Sequence, residues 1–216
     1  MNTDTLIELL SADVQPVSRG RFERTLLLSV AMGGMAAFGV MLVTVGPRYD
    51  VASLPYLEWS AVKLLFALSV VGATMPVLIR SARPGPGSVT RALPLLFPFV
   101  AVGVAALAER LLGSTEPWRT MLRGATTMSP ARCLLCIIGF SAIALVALIR
   151  ALREGAPSRP GVCGALAGLV AGGVGAAAYA LACNSDSVPF VAFWYSAAIA
   201  LCGALGALLG SRLLRW

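Results

Sequence analysis

There is no histidine in this chain. That absence removes Ser-His and Cys-His catalysis, imidazole–zinc coordination and imidazole proton relays. Charge is scarce too: charged residues make up 12% of the chain against 58% hydrophobic, and mean hydropathy is +0.84. Too little polar surface remains to clothe a soluble domain. Nor does a row of acids run through the apolar stretches, as a proton-coupled transporter would show.

What is present is apolar residues in blocks of roughly 20, the length that crosses about 30 Å of hydrocarbon. The spans fall at Thr25–Val45, Ala61–Ile79, Ala92–Leu112, Ala131–Ile149, Val162–Ala182 and Val188–Leu209. Breakers separate them: Gly46-Pro47, the run Arg83 to Gly87, Gly113 to Pro130, Gly155 to Pro160, and Asn184 to Pro189. Pro76, Pro94 and Pro98 lie inside or beside spans, where membrane helices tolerate proline. The expected fold is an all-α integral membrane bundle of six transmembrane helices. Residues 25–216 form that bundle, and residues 1–24 form a short N-terminal segment.

The net charge of +7 comes from 17 basic against 10 acidic residues. The arginines stand at span ends, so they set topology and do not imply nucleic-acid binding. With the N-terminus inside, eleven arginines fall on the cytoplasmic side and five on the other, which predicts both termini in the cytoplasm of a bacterial inner membrane. A cleaved signal peptide is not expected, because the first 24 residues are polar and carry Asp4, Glu8, Asp13 and Glu23. The fifth span reads Gly164-x3-Gly168-x3-Gly172 and the sixth holds Gly206-x3-Gly210, spacings that let helix backbones approach closely. They suit packing within one chain, and a homodimer face is the other reading.

The N-terminal segment has its own pattern. Thr5 and Glu8 have capping-box spacing, Leu6, Leu9, Leu10 and Val14 fall near one face with Ile7 beside them, and Pro16 ends the helix. So short a helix needs lipid or a partner's groove to cover its apolar stripe.

The five cysteines sort by depth. Cys133 and Cys136 start the fourth span one turn apart, and Cys183 follows the fifth, all on the outer side. Cys163 lies at the inner end of the fifth span and Cys202 within the sixth. Cys183 could bridge to Cys133 or Cys136 if the backbones come within about 7 Å; three thiols could instead hold a soft metal, or all could be apolar fillers. Glu58, Lys63 and Glu109 lie near the outer interface, where snorkelling or a Lys63–carboxylate pair accounts for them. These features leave three functions open: a partner-binding regulator, a membrane thiol-disulfide oxidoreductase and a small transporter. The regulator needs no cofactor, whereas the oxidoreductase would exchange disulfides with a quinone.

Three stretches resemble the NrsF-type family of bacterial membrane anti-sigma factors. The first runs from Leu6-Ile7 through Asp13-Val14-Gln15-Pro16-Val17. The second is the second span with Lys63, ending in Arg83-Pro84-Gly85. The third runs from Cys133-Leu134 and Ile137, through Leu152-Arg153-x-Gly155-Ala156-Pro157-x-Arg159-Pro160, to Tyr179-Ala180-Leu181-x-Cys183 and Phe190-Val191-Ala192-x-Trp194-Tyr195. The resemblance implies six spans and an N-terminal segment that binds an extracytoplasmic-function sigma factor. On that basis Leu6, Ile7, Leu9, Leu10, Asp13, Val14 and Pro16 become the partner-binding residues. It also implies that Cys133 and Cys183 are sensing cysteines, with Cys136 an extra one. Many members place histidine before the second cysteine; this chain has Ala182 there, which favours thiol oxidation or thiol-only metal binding.

Overall fold

Apolar blocks of spanning length become helices because every backbone group in lipid must be bonded within its own segment. The structure is a computed structural model that describes Thr3, Thr5 and residues 20–49, 56–82, 93–112, 130–155, 157 and 159–214. Among these residues are six helices long and apolar enough to cross a membrane. They are α1 (Arg21–Thr44), α2 (Tyr56–Ser81), α3 (Leu93–Leu112), α4 (Pro130–Arg153), α5 (Pro160–Ala180) and α6 (Val188–Leu213). The expected spans match these helices one for one. The helices mostly run longer than the apolar blocks, because helical bonding continues into the interface. α2 begins five residues early, with Tyr56 through Ser60. α4 extends to Arg153. α5 stops at Ala180, two residues short of the expected end.

The bundle is arranged around α5. Its sequence is almost entirely glycine, alanine and valine, and nearly all of it is buried. One glycine row faces α6: a Cβ on Gly164 would stand 2.7 Å from the Gly210 Cα, and one on Gly168 would stand 2.9 Å from the Gly203 Cα. Gly173 meets Ala67 and Val71 of α2, and Gly175 meets Ile137 and Ser141 of α4. The small-residue motifs are therefore occupied within the chain, as the first of the two readings expected. Around this axis α2 presents the stripe Ser60, Lys63, Ala67, Val70, Thr74 and Leu78. α4 presents Cys133, Ile137, Phe140, Ser141, Ala144, Leu148 and Leu152. Both stripes follow the 3.6-residue period.

α1 lies on α4 and α5, with Gly33 against Ala144. α3 is peripheral, touching α2 through an edge-on Phe66–Phe99 pair at 5.9 Å. Its Leu96, Phe97, Val100, Val104, Leu107 and Leu111 face outward. In water such a face would be unstable; against hydrocarbon it is the expected solvent-facing surface.

α6 is not a uniform helix. After one α-turn at Val188–Phe190 it widens to a π-turn over Val191–Tyr195 and then resumes as α-helix. The wider turn brings Val191 and Tyr195 inward, both fully buried.

Candidate functional site

The ends of α1, α3 and α5 and the starts of α2, α4 and α6 meet at one end of the bundle. The segment 181–187, which joins α5 to α6, is its centre. Its backbone extends the last turn of α5: the N–H groups of Ala182 and Cys183 both donate to the Tyr179 carbonyl, at 3.0 and 3.1 Å. Cys183 is thereby held just beyond the helix, buried, and facing α4. There it meets Cys133, also buried, and the Cys133 thiol hydrogen-bonds to the Cys183 sulfur. Both are free thiols. The depth match expected from sequence is realised as a side-chain contact.

Cys136 does not join this pair. It is half-buried one turn along α4, beside the Arg132 guanidinium. Among the described residues no three Cys, Asp or Glu side chains converge as a metal-binding group. The two remaining cysteines pack between helices as expected, but each also makes a polar contact. The Cys163 thiol donates to the Ser81 carbonyl at 3.1 Å, and Cys202 and the Ser141 hydroxyl lie 3.0 Å apart.

Three charged residues surround segment 181–187. Gly46, in the left-handed region at φ 73°, turns the chain after α1. Arg48 then docks: its N–H donates to the Leu181 carbonyl at 3.1 Å, and its guanidinium reaches both Asp186 oxygens at 3.0 and 2.9 Å. From α2, Lys63 donates to the Cys183 carbonyl at 2.9 Å and to Asp186 Oδ1 at 3.1 Å. Lys63 is fully buried. The expected Lys63–carboxylate pair exists, and its carboxylate is Asp186. Glu58 is exposed, and Glu109 accepts from the Val188 N–H at 3.1 Å, closing the start of α6 in place of a Ser187 cap.

The sulfur of Cys183 therefore has an unusual environment. The Cys133 thiol donates to it, burial opposes its ionisation, and the Lys63 ammonium, the Ser185 N–H and the Tyr195 hydroxyl favour the thiolate. The balance lowers the Cys183 pKa from the ordinary thiol value, with the hydrogen bond from Cys133 the largest cause. The buried Tyr195 hydroxyl has no hydrogen-bond partner among the described residues and stands beside this sulfur. The π-turn of α6 is what brings it to this position. Sequence reasoning missed Tyr195, Arg48 and Asp186; the one available signal was the run of polar residues Asn184 to Ser187 between two apolar spans.

The partner-binding residues Leu6, Ile7, Leu9, Leu10, Asp13, Val14 and Pro16 lie outside the described residues. Of residues 1–19 only Thr3 and Thr5 are described, and both are helical.

Comparison with known proteins gives consistent matches. A family model described as negative regulator of sigma F matches residues 10–216. Over the whole length of both chains, the sequence is 31% identical to the "Probable anti-sigma-F factor NrsF" of Azospira oryzae. It is 33% identical, again over the whole of both chains, to the "Anti-sigma-F factor NrsF" of Caulobacter vibrioides. No solved structure matches. Neither the oxidoreductase nor the transporter reading has a counterpart in these matches.

Proposed function

This chain belongs to the NrsF family, the negative regulators of sigma F, and we propose that it tethers an extracytoplasmic-function sigma factor to the bacterial inner membrane until the Cys133–Cys183 pair changes state. Residues 1–24 are the tether. Their apolar face of Leu6, Ile7, Leu9, Leu10 and Val14, with Asp13 beside it and Pro16 as its stop, covers the surface the sigma factor needs for RNA polymerase. Residues 25–216 are the six-helix anchor, with both termini cytoplasmic and segment 181–187 on the outer side. The protein is a regulator and catalyses no reaction.

The observation that carries the sensing part is the contact of two buried thiols beside a segment tied to α1. Joining Cys133 to Cys183, by oxidation or through a thiophilic metal, would pull residue 183 toward α4. That strains the Cys183 carbonyl–Lys63 bond and the Leu181 and Asp186 bonds of Arg48. Arg48 follows α1 directly, and α1 leads back to the tether. A displacement at segment 181–187 is thereby passed along one rigid helix of 24 residues. Cys136 stands outside the pair and acts as a packing residue.

One experiment with three arms tests this reading. Membranes carrying the full chain are assayed for sigma factor retained and for transcription from a sigma-dependent promoter, with and without oxidant. Wild type should retain the sigma factor at rest and release it on stress. Cys133→Ser and Cys183→Ser should retain it and respond differently from wild type. Leu6→Asp with Leu10→Asp should release it at rest. Burying each leucine is worth about 1.5–3 kcal/mol, so the loss of both weakens binding at least about a hundredfold. Cysteine variants that respond like wild type would show that the signal enters elsewhere. A double leucine variant that still retains the sigma factor would remove the tether from residues 1–24.

A further inference from the structure

At the end of the bundle opposite segment 181–187, α1 begins beside the last residues of α2 and α4. The Gly20 carbonyl accepts from the Arg24 N–H at 3.0 Å, and Phe22 stands in the turn that this bond closes. Its ring enters a niche made by two stretches of backbone. A Cβ on Gly155 would stand 2.7 Å from the ring Cζ and 2.8 Å from Cε2, and 3.1 Å from the Ala82 carbonyl oxygen. The backbone at Gly155 does not itself call for glycine, since its φ lies outside the left-handed region. What excludes a side chain there is the ring of Phe22 together with the Ala82 carbonyl.

The walls of the niche are held from behind. The Gly155 N–H donates to the Leu152 carbonyl at 3.1 Å, and the Ala82 N–H to the Leu78 carbonyl at 2.9 Å. The Ser81 carbonyl accepts from the Cys163 thiol of α5. The ring, at the far end of a side chain, is the member free to move. α1 as a whole turns much of its surface outward, with Leu27, Leu28, Met32, Met35 and Val43 exposed. Besides its buried stripe it is fixed at three points. Arg48 ties its outer end, Gly33 meets Ala144 at mid-span, and Phe22 fills the niche at its inner end.

We propose that Phe22 is a positioning residue for sigma-factor binding: seated between Gly155 and Ala82, its ring sets the first turn of α1 and with it the place and direction in which residues 1–19 leave the bundle. The inference rests on the reading of those residues as the tether, and adds the joint that presents them. Binding must order every residue that is free beforehand, so a fixed root leaves fewer to order. With the ring out of its niche the first turn of α1 frays, and each further residue to be ordered weakens binding about tenfold. Because Arg48 ties the other end of the same helix to segment 181–187, a shift there reaches the tether as a change in this one contact.

The test uses the full chain in lipid nanodiscs, where both faces are open to solution, and labelled sigma F of the same organism. Dissociation constants are read beside unfolding temperatures. Gly155→Ala displaces the ring and removes no group of the tether. It should weaken binding about tenfold while the unfolding temperature stays within about 2 °C of wild type, because a side chain yields where backbone would not. Phe22→Ala should weaken binding to the same extent, and adding Gly155→Ala to it should cost nothing further, since the methyl enters space the ring has left. Phe22→Leu with Gly155→Ala trades the tip of the ring for that methyl and should recover most of the lost affinity. Gly39→Ala, also on α1 but facing open space, should bind like wild type. Wild-type affinity in Gly155→Ala overturns the proposal. So do additive losses in the double variant, and so does a loss of affinity that merely follows a fall in unfolding temperature. Should Phe22→Ala fail to accumulate, Gly155→Ala against Phe22→Leu with Gly155→Ala decides on the same terms. Wild-type affinity in Leu6→Asp with Leu10→Asp would sink the tether reading itself. A loss there beside an unaffected Gly155→Ala would sink only the role given to Phe22.

Discussion

Asp186 accepts from two cations at once, Arg48 at both oxygens and Lys63 at one, with its side chain 19% exposed. Asp186→Asn would keep the shape and leave two positive charges facing each other. Removing one partner from a buried pair costs about 3–5 kcal/mol, and the partial exposure of Asp186 places this case at the lower end. The expected loss is about 3 kcal/mol, read as a fall of about 5–10 °C in thermal unfolding of the detergent-solubilised protein. Glu58→Gln, at an exposed position, should leave the transition where it is. An unshifted Asp186→Asn would mean that water already screens the pair. This carboxylate shows what could be read in advance. A lysine near the start of a span needs an anion, and that need was legible. Its partner was not, because Asp186 lies 123 positions along the chain, while Glu58 and Glu109 share the same depth. The two thiols were legible for the opposite reason: a short connection forces antiparallel neighbours, and equal depth then brings their side chains together.

At the scale of elements, the glycine rows of α5 and α6 leave no space for a side chain. Gly168→Leu would press a branched chain into the backbone of Cys202 and Gly203, which cannot yield as a flexible side chain would. Overpacking of this kind costs about 3 kcal/mol or more. The variant should separate α5 from α6 and lower the unfolding temperature, or prevent accumulation. Gly39→Ala in α1 meets nothing within 4 Å and should be neutral or mildly stabilising, since it gains helix propensity of up to about 1 kcal/mol. Equal behaviour of the two variants in a thermal-shift series would remove the close approach. The Gly-x3-Gly spacing made this contact legible. The central place of α5 was not, because the glycines that meet α2 and α4, Gly173 and Gly175, lie off the repeating row. The π-turn at Val191–Tyr195 also left no mark: its five residues, VAFWY, read as ordinary apolar helix. Only the inward-facing pair Val191 and Tyr195 reveals the wider turn.

At the scale of the molecule, hydropathy alone was sufficient to place all six helices. In lipid, length and apolar content dictate a span with little help from tertiary packing. Orientation rests on the arginine asymmetry of eleven to five. Alkaline phosphatase fused after Trp216 should be inactive and a fusion after Asp186 active; the reverse pattern would put the thiol pair in the cytoplasm. The Lys63–Asp186 bond also bears on how the chain is made. α2 leaves the ribosome carrying its ammonium long before segment 181–187 exists. During that interval α2 must enter the bilayer with a charge worth about 2.5–3.5 kcal/mol at a span centre, relieved by the reach of a long side chain toward the interface. Its counter-ion arrives only with the final hairpin. The ion pair therefore closes last in synthesis, and a chain truncated before segment 181–187 would leave Lys63 without the carboxylate of Asp186.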